Sequence, residues 1–331
     1  MISDSKKLLY SFSDSKKLYN LPNDILDNIF YKNEINNKTL AQIVMSHTLL
    51  KTFIMIKYKK LYFSNLLKFQ NNLSNLDNIY EVDIFEHLGI IDTHMFKNCK
   101  ILKLRSCFNI HDVSQLGNVE YLDLSNCFEI QNVSMLGKCR HLELSNCNKI
   151  KDVSNLGNIE YLDLSHCDKI TDISKLGNHK YLSLRGCNKI KNIDSLENVN
   201  KLDLTYCEGI HNISILKNVY YLDVSYSPYI EINDFMNNNT LNAINTNLTN
   251  EDIVFLKNIS ELNIRNCYWI TDLSPLNNIK KLDIRGCRNI FELPTTNDLE
   301  FLTISSALFH TPPINMQIQN SSCKLSVDYF Q

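Results

Sequence analysis

The chain has 331 residues, 44% hydrophobic and 21% charged, with eight glycines, six prolines and a formal net charge of -2. That length holds two domains or one repeat array, and so little glycine and proline excludes collagen-like and Pro/Gly-rich disordered chains. A nearly balanced charge weighs against a general nucleic-acid binder, and no stretch reaches the roughly 18–20 uninterrupted apolar residues of a membrane span.

Met1 to Lys7 carry no apolar signal-peptide core, and eleven cysteines in such a chain fit the reducing cytosol, so a cytoplasmic protein is expected. Ser3-Asp4-Ser5-Lys6-Lys7-Leu8 recurs almost unchanged as Ser13-Asp14-Ser15-Lys16-Lys17-Leu18, which reads as a disordered leader over residues 1–20. Residues 1–78 carry about +5 and the remainder about -7, which puts a domain junction in a linker over residues 66–78.

Leu21-Pro22-Asn23-Asp24-Ile25-Leu26-Asp27-Asn28-Ile29-Phe30 predicts a helix. Pro22 suits a first turn, Asp24 favours the positive helix end, and Ile25, Leu26, Ile29 and Phe30 make one apolar stripe. A second helix is predicted from Thr39, with Gln42 completing a capping box. This run resembles the opening of the F-box. The match extends to about Phe63, with a looser second half at Val44-Met45-Ser46-His47-Thr48-Leu49. The resemblance implies a helical domain over residues 21–65 that binds the Skp1-type linker of a cullin ubiquitin ligase through Leu21, Pro22, Ile25, Leu26 and Ile29. The alternative is a helical cap packed on the rest of the chain. The lysine-rich stretch Lys51–Lys68 reads as a solvated helix rather than a membrane-surface one.

From residue 79 a 20-residue period takes over. Cys107, Cys127, Cys147, Cys167, Cys187 and Cys207 keep the step, followed by Cys267 and Cys287. Leu102, Leu122, Leu142, Leu162, Leu182, Leu202 and Leu222 keep it too, as do Leu104 to Leu204, continuing through Val224, Ile244 and Ile264. The unit Leu-x-Leu-x-x-Cys-x-x-Ile-x-x-Val-x-x-Leu resembles the leucine-rich repeat of the cysteine-containing type. The expected fold is an α/β-type leucine-rich-repeat solenoid of about twelve units over residues 79–318, with a tail at 319–331. A parallel sheet should line the concave side. Twenty residues leave too little chain for a convex helix, so 3-10 turns or extended segments are expected there. Gly117, Gly137, Gly157 and Gly177 suit left-handed turns. The Ser114, Ser134, Ser154 and Ser174 column should bond local backbone. Residues 239–258 break the pattern, with Asn242 standing where a core leucine is due. The cysteines read as buried thiols bonded to backbone in the turn after each strand, rather than as disulfides or a zinc site.

Outward strand positions should form the inner wall. One column holds Asp163, Asp203 and Asp223; its neighbour holds Tyr161, Tyr181 and Tyr221; Arg185 interrupts the acids. Tyr206, Tyr226, Tyr229, Tyr268 and Trp269 should lie on the rim. Stacked carboxylates repel, so the acids are either a relic of duplication or a binding surface for a basic segment of a protein substrate, with tyrosines and Trp269 as contacts. No nucleotide-binding, zinc-hydrolase or serine-hydrolase motif occurs, so neither enzyme nor cofactor is expected. F-box followed by leucine-rich repeats is a substrate-receptor arrangement, found also in giant DNA viruses and A/T-rich protists. The alternative is an interaction scaffold unconnected to ubiquitin. A third reading, a secreted adhesion solenoid resembling internalins, lacks a signal peptide.

Overall fold

Alternation at Tyr161-Leu162-Asp163 buries the leucine and leaves its neighbours half-exposed, and a three-residue strand recurs in every coil from Tyr121–Asp123 to Lys281–Asp283. The computed structural model describes residues 60–63, 80–86, 91–319 and 323–328. The leader, the expected linker and the F-box-like positions Leu21, Pro22, Ile25, Leu26 and Ile29 lie outside the described residues.

Among the described residues fourteen strands form one parallel sheet in chain order. They are β1 (Lys60–Phe63), β2 (Glu81–Phe85), β3 (Ile101–Arg105), β4 (Tyr121–Asp123), β5 (His141–Glu143), β6 (Tyr161–Asp163), β7 (Tyr181–Ser183), β8 (Lys201–Asp203), β9 (Tyr221–Asp223), β10 (Thr240–Asn242), β11 (Glu261–Asn263), β12 (Lys281–Asp283), β13 (Phe301–Ser305) and β14 (Lys324–Asp328). From β4 to β9 the register places Leu122, Leu142, Leu162, Leu182, Leu202 and Leu222 side by side. With the isoleucine, valine and cysteine columns they form one continuous buried core. No single coil could bury these side chains alone; stacking does it, at about 1.5–3 kcal/mol each. The convex side carries 3-10 turns such as Ser134–Leu136 and Ser154–Leu156, as coils of 20 residues require.

The ladder is one strand longer at each end than the period predicts. β1 falls in the segment assigned to the helical domain, and it pairs with β2 through Lys60 and Glu81, a step of 21. β14 falls in the expected tail and pairs Leu325 with Leu302. That coil is longer than 20 residues because the helix Pro312–Gln319 is inserted, so a fixed period passes over it. Both added strands satisfy edges that would otherwise expose backbone donors and acceptors.

The irregular coil is a register change. Thr240 pairs with Tyr221 on one side and with Glu261 on the other, so a 19-residue step is followed by one of 21. A one-residue slip exchanges the faces of a strand. Leu241 and Ala243 therefore fill the core, whereas Asn242 faces the concave side beside Asp223 and Asn263. Asn242 does not replace a core leucine, and Ile244 does not continue the core column.

The glycines also differ from expectation. Gly117, Gly137 and Gly157 are right-handed, with φ near -62°. Glycine is required there because a Cβ would collide with the carbonyl oxygens of Met135, Asn155 and Lys175 in the next coil. From Glu86 to Gly286 the left-handed residue is instead the one preceding the cysteine slot, as at Asn126, Asn146, Gly186 and Asn266.

Candidate protein-interaction surface

The cysteine column anchors each strand end. Cys127, Cys147, Cys167, Cys187 and Cys207 direct Sγ at the carbonyls of Leu104, Leu124, Leu144, Leu164 and Leu184, 3.0–3.3 Å away. The principal acceptor is thus the strand of the preceding coil, not the thiol's own turn. In the two coils between Cys207 and Cys267 the slot keeps a donor: Ser227 bonds Leu204 of the preceding coil at 3.2 Å, and Thr246 bonds Ala243 of its own turn at 2.8 Å. Cys127, Cys147, Cys167, Cys187, Cys207, Cys267 and Cys287 stay as thiols rather than disulfides, and burial pushes those of Cys147, Cys187, Cys207 and Cys287 up to about 12. The serine column owes its order to the residue two earlier, since Asp112, Asn132, Asp152 and Asp172 accept from the backbone N–H of Ser114, Ser134, Ser154 and Ser174.

On the inner wall the first strand position builds a ladder of rings. Tyr121, His141, Tyr161 and Tyr181 stack with centroids 4.2, 4.0 and 4.2 Å apart. Parallel strands stand about 4.8 Å apart, so a ring in every coil falls at stacking distance. The Tyr121 hydroxyl donates to Glu143 at 2.6 Å, and His141 Nε2 lies 2.8 Å from the same carboxylate. Lys201 interrupts the ladder, and Tyr221 resumes it with its hydroxyl accepting from Asn242 at 2.6 Å.

The third position holds the acids, and they have a structural role that the sequence did not reveal. Asp123, Asp163, Asp203 and Asp223 each accept through Oδ1 from the backbone N–H two residues on, closing the strand. The repeated carboxylate is therefore neither a pure duplication relic nor free for ligands on both oxygens. Burial raises the carboxyls of Asp123 and Asp163, whereas the His141 hydrogen bond holds Glu143 below the usual range.

Arg185 lies with its guanidinium 5.1 Å over the Tyr206 ring, and Tyr206 stacks on Tyr226 at 4.6 Å. Both tyrosines occupy the left-handed slot, at φ 60°. A Cβ in that conformation costs roughly 1–2 kcal/mol, which asparagine and glycine largely avoid. The expected rim cluster divides. Tyr229 meets His211 at 5.7 Å, while Trp269, 66% exposed, joins no ring stack among the described residues. The structure thus brings Tyr161 and Tyr181 into one stack beside Asp163, carries the acid column on through Asp203 and Asp223, and leaves Trp269 apart.

Two features escaped the sequence reading. Beyond Tyr221 the wall opens into a trough of about 490 Å³, bounded by Thr240, Asn242, Glu261, Asn263, Lys281 and Phe301. Its signal was the change from rings to small or charged residues at the first strand position. The second is His179, 1% exposed, whose Nδ1 meets the Ile159 carbonyl while Nε2 has no partner. It sits in a column with Cys139, Ile159, Val199 and Val219, and tracking that column would have found it.

A 20-residue coil, leucine-lined parallel strands, a cysteine ladder and 3-10 convex turns decide the architecture. The fold is a leucine-rich-repeat solenoid. No protein-family model and no curated protein matches the chain. Similar solved structures include an internalin of Listeria monocytogenes, 17% identical with a TM-score of 0.47, covering 77% of this chain and 82% of the internalin. The functional domain of InlJ from the same organism, described as including a cysteine ladder, is 18% identical with a TM-score of 0.44 over 70% and 63% of the two chains. A leucine-rich-repeat protein of Leptospira interrogans is 15% identical with a TM-score of 0.40, covering 86% and 98%.

Proposed function

We propose that this protein is a cytoplasmic substrate receptor of a cullin ubiquitin ligase. The 21–65 segment docks a Skp1-type linker through Leu21, Pro22, Ile25, Leu26 and Ile29, and the inner wall of the solenoid captures a protein target bearing a basic segment. The observation that carries the capture is the ring ladder of Tyr121, His141, Tyr161 and Tyr181 beside a column of carboxylates. Stacked repeats present an extended concave surface, and rigid tyrosines supply contact area at low entropic cost. Docking is supported by the Leu21–Phe30 run. The test is calorimetric titration of a Skp1-type linker into the full chain and into Leu21→Ala/Pro22→Ala. Micromolar binding that the variant loses supports the receptor. Absence of binding to the wild type leaves the second reading, in which the same wall serves an interaction scaffold unconnected to ubiquitin.

A further inference from the structure

Among the described residues the left-handed slot before the cysteine position is a column of eleven, from Glu86 to Gly286. Asparagine fills it four times and glycine twice, as the backbone conformation favours. Glu86, Ser106, His166, Tyr206 and Tyr226 depart from that preference, and the two tyrosines do so with phenol rings stacked in adjacent coils. They contribute nothing to the core, being 39% and 38% exposed. Folding alone would select asparagine at both positions.

The two rings form a short stack, and one end already shows what it accepts: Arg185, from the preceding coil, lays its guanidinium over Tyr206. At the other end the next residue in the column is Asn245, and among the described residues no ring or cation stacks on Tyr226 from that side. The same two coils carry Asp203 and Asp223, while exposed Glu208 follows Tyr206 by two residues and forms no salt bridge among the described residues. A planar cation arriving at Tyr226 therefore meets an aromatic face in an acidic setting. Guanidinium stacks flat on a ring, whereas ammonium is a compact and strongly hydrated point charge.

We propose that the Tyr206–Tyr226 pair is a platform for an arginine on an extended, cationic segment of a partner protein, stacking on Tyr226 as Arg185 stacks on Tyr206. This rests on the reading that the inner wall and its rim bind a protein segment, and it names the residue type recognised.

The conformation of the slot supplies a clean test. Tyr206→Asn/Tyr226→Asn removes the rings while placing at both positions the residue that the backbone prefers. The double variant should melt at or above the wild-type temperature, with a gain of about 2–4 °C for each kcal/mol of relieved strain. The probe is a labelled ten-residue peptide alternating Arg and Ser, compared with its Lys/Ser counterpart by fluorescence anisotropy on the full chain. The wild type should bind the arginine peptide at least five-fold more tightly than the lysine peptide, and the double variant should bind both equally. Asp203→Asn/Asp223→Asn should weaken both peptides alike and keep the preference. Equal wild-type affinities overturn the platform, as does a preference that survives the double variant. Should the asparagine variant melt low, Tyr206→Gly/Tyr226→Gly, using the residue found at Gly186 and Gly286, decides by the same criterion. If neither peptide binds the wild type, the basic-segment reading of the wall falls with the platform. Linker docking is measured separately and is untouched by either result.

Discussion

Between β4 and β9 the inner wall is filled, with a ring in most coils and a carboxylate at its side; between β10 and β13 it is hollow, with Thr240, Glu261 and Lys281 where the rings would stand. The core beneath does not change: Leu162, Leu202, Leu241 and Leu282 are equally buried. The slot at the strand end also keeps a donor, although Cys167 and Ser227 donate to the preceding coil and Thr246 to its own. The relief of the concave face is thus set by two outward positions per coil, independently of what holds the coils together. Such a scaffold can diversify its binding face without weakening its core.

The sharpest way to break this comparison is to alter the core and the hollow separately. Leu162→Ala should cost about 2–5 kcal/mol, because neighbouring coils hold the cavity open. Asn242→Leu would be a repair if the 20-residue frame ran unbroken through this coil. In the observed register it should destabilise by about 1 kcal/mol, because it removes hydrogen bonds from Asn242 to Tyr221 and Asp223 and exposes a leucine in the trough. Urea unfolding followed by circular dichroism measures both. A stabilised Asn242→Leu would overturn the register.

Asn242 also marks the limit of what the sequence made legible. The leucine and cysteine columns identified the solenoid and its inner wall because each core residue recurs wherever the steric demand recurs. The 19- and 21-residue steps around β10 cancel, so the period continued unbroken while the strand between them had turned over. The end strands β1 and β14 were hidden because their coils depart from 20 residues. The role of the acids was hidden for a different reason. A side chain that accepts its own backbone N–H two residues on looks, in sequence, the same as one that waits for a ligand. Tyr206 and Tyr226 were visible as aromatics, but only backbone angles reveal that they sit where asparagine is preferred.

A second distinction between the halves is titratable. The column containing Cys139 holds one polar residue in each half, His179 and Asn238, both donating to carbonyls of neighbouring coils. Burial holds the His179 imidazole below its ordinary value. The unfolded chain therefore binds the proton more readily, and the stability tied to neutral His179 is complete above the unfolded pKa of about 6.5 and is lost as pH falls below it. The slope approaches about 1.4 kcal/mol per pH unit for one proton. His179→Val, matching Val199 and Val219, should flatten the decline in melting temperature between pH 7 and 5.5. Asn238→Val should leave that slope in place. An unchanged slope in His179→Val would assign the decline to other groups.

The smallest expected effect contrasts two aspartates of one column. Asp163 is raised by burial first, with Glu143 and Asp203 adding repulsion against the bonds from Ser165. Its folded state binds the proton more tightly than the unfolded chain, so its contribution to stability declines as pH rises from about 4 through the folded value and stays reduced at neutrality. Asp163→Asn keeps an oxygen for the Ser165 N–H and removes the charge, so at pH 7 it should be neutral or stabilising by up to about 1 kcal/mol. Asp283 occupies the equivalent place in β12, but there the Arg285 guanidinium donates to both its oxygens, at 3.0 Å from Nε to Oδ1 and 2.6 Å from Nη2 to Oδ2. Both side chains are partly exposed, so that pair is worth no more than about 1 kcal/mol, and Asp283→Asn should be mildly destabilising. Urea unfolding of both variants at pH 7 and pH 5 tests the contrast. Opposite signs at pH 7, with the Asp163→Asn gain shrinking at pH 5, would show that Asp163 is held against electrostatic cost, whereas Asp283 is neutralised by its own arginine. Equal signs would show that closing the strand end outweighs charge at both sites.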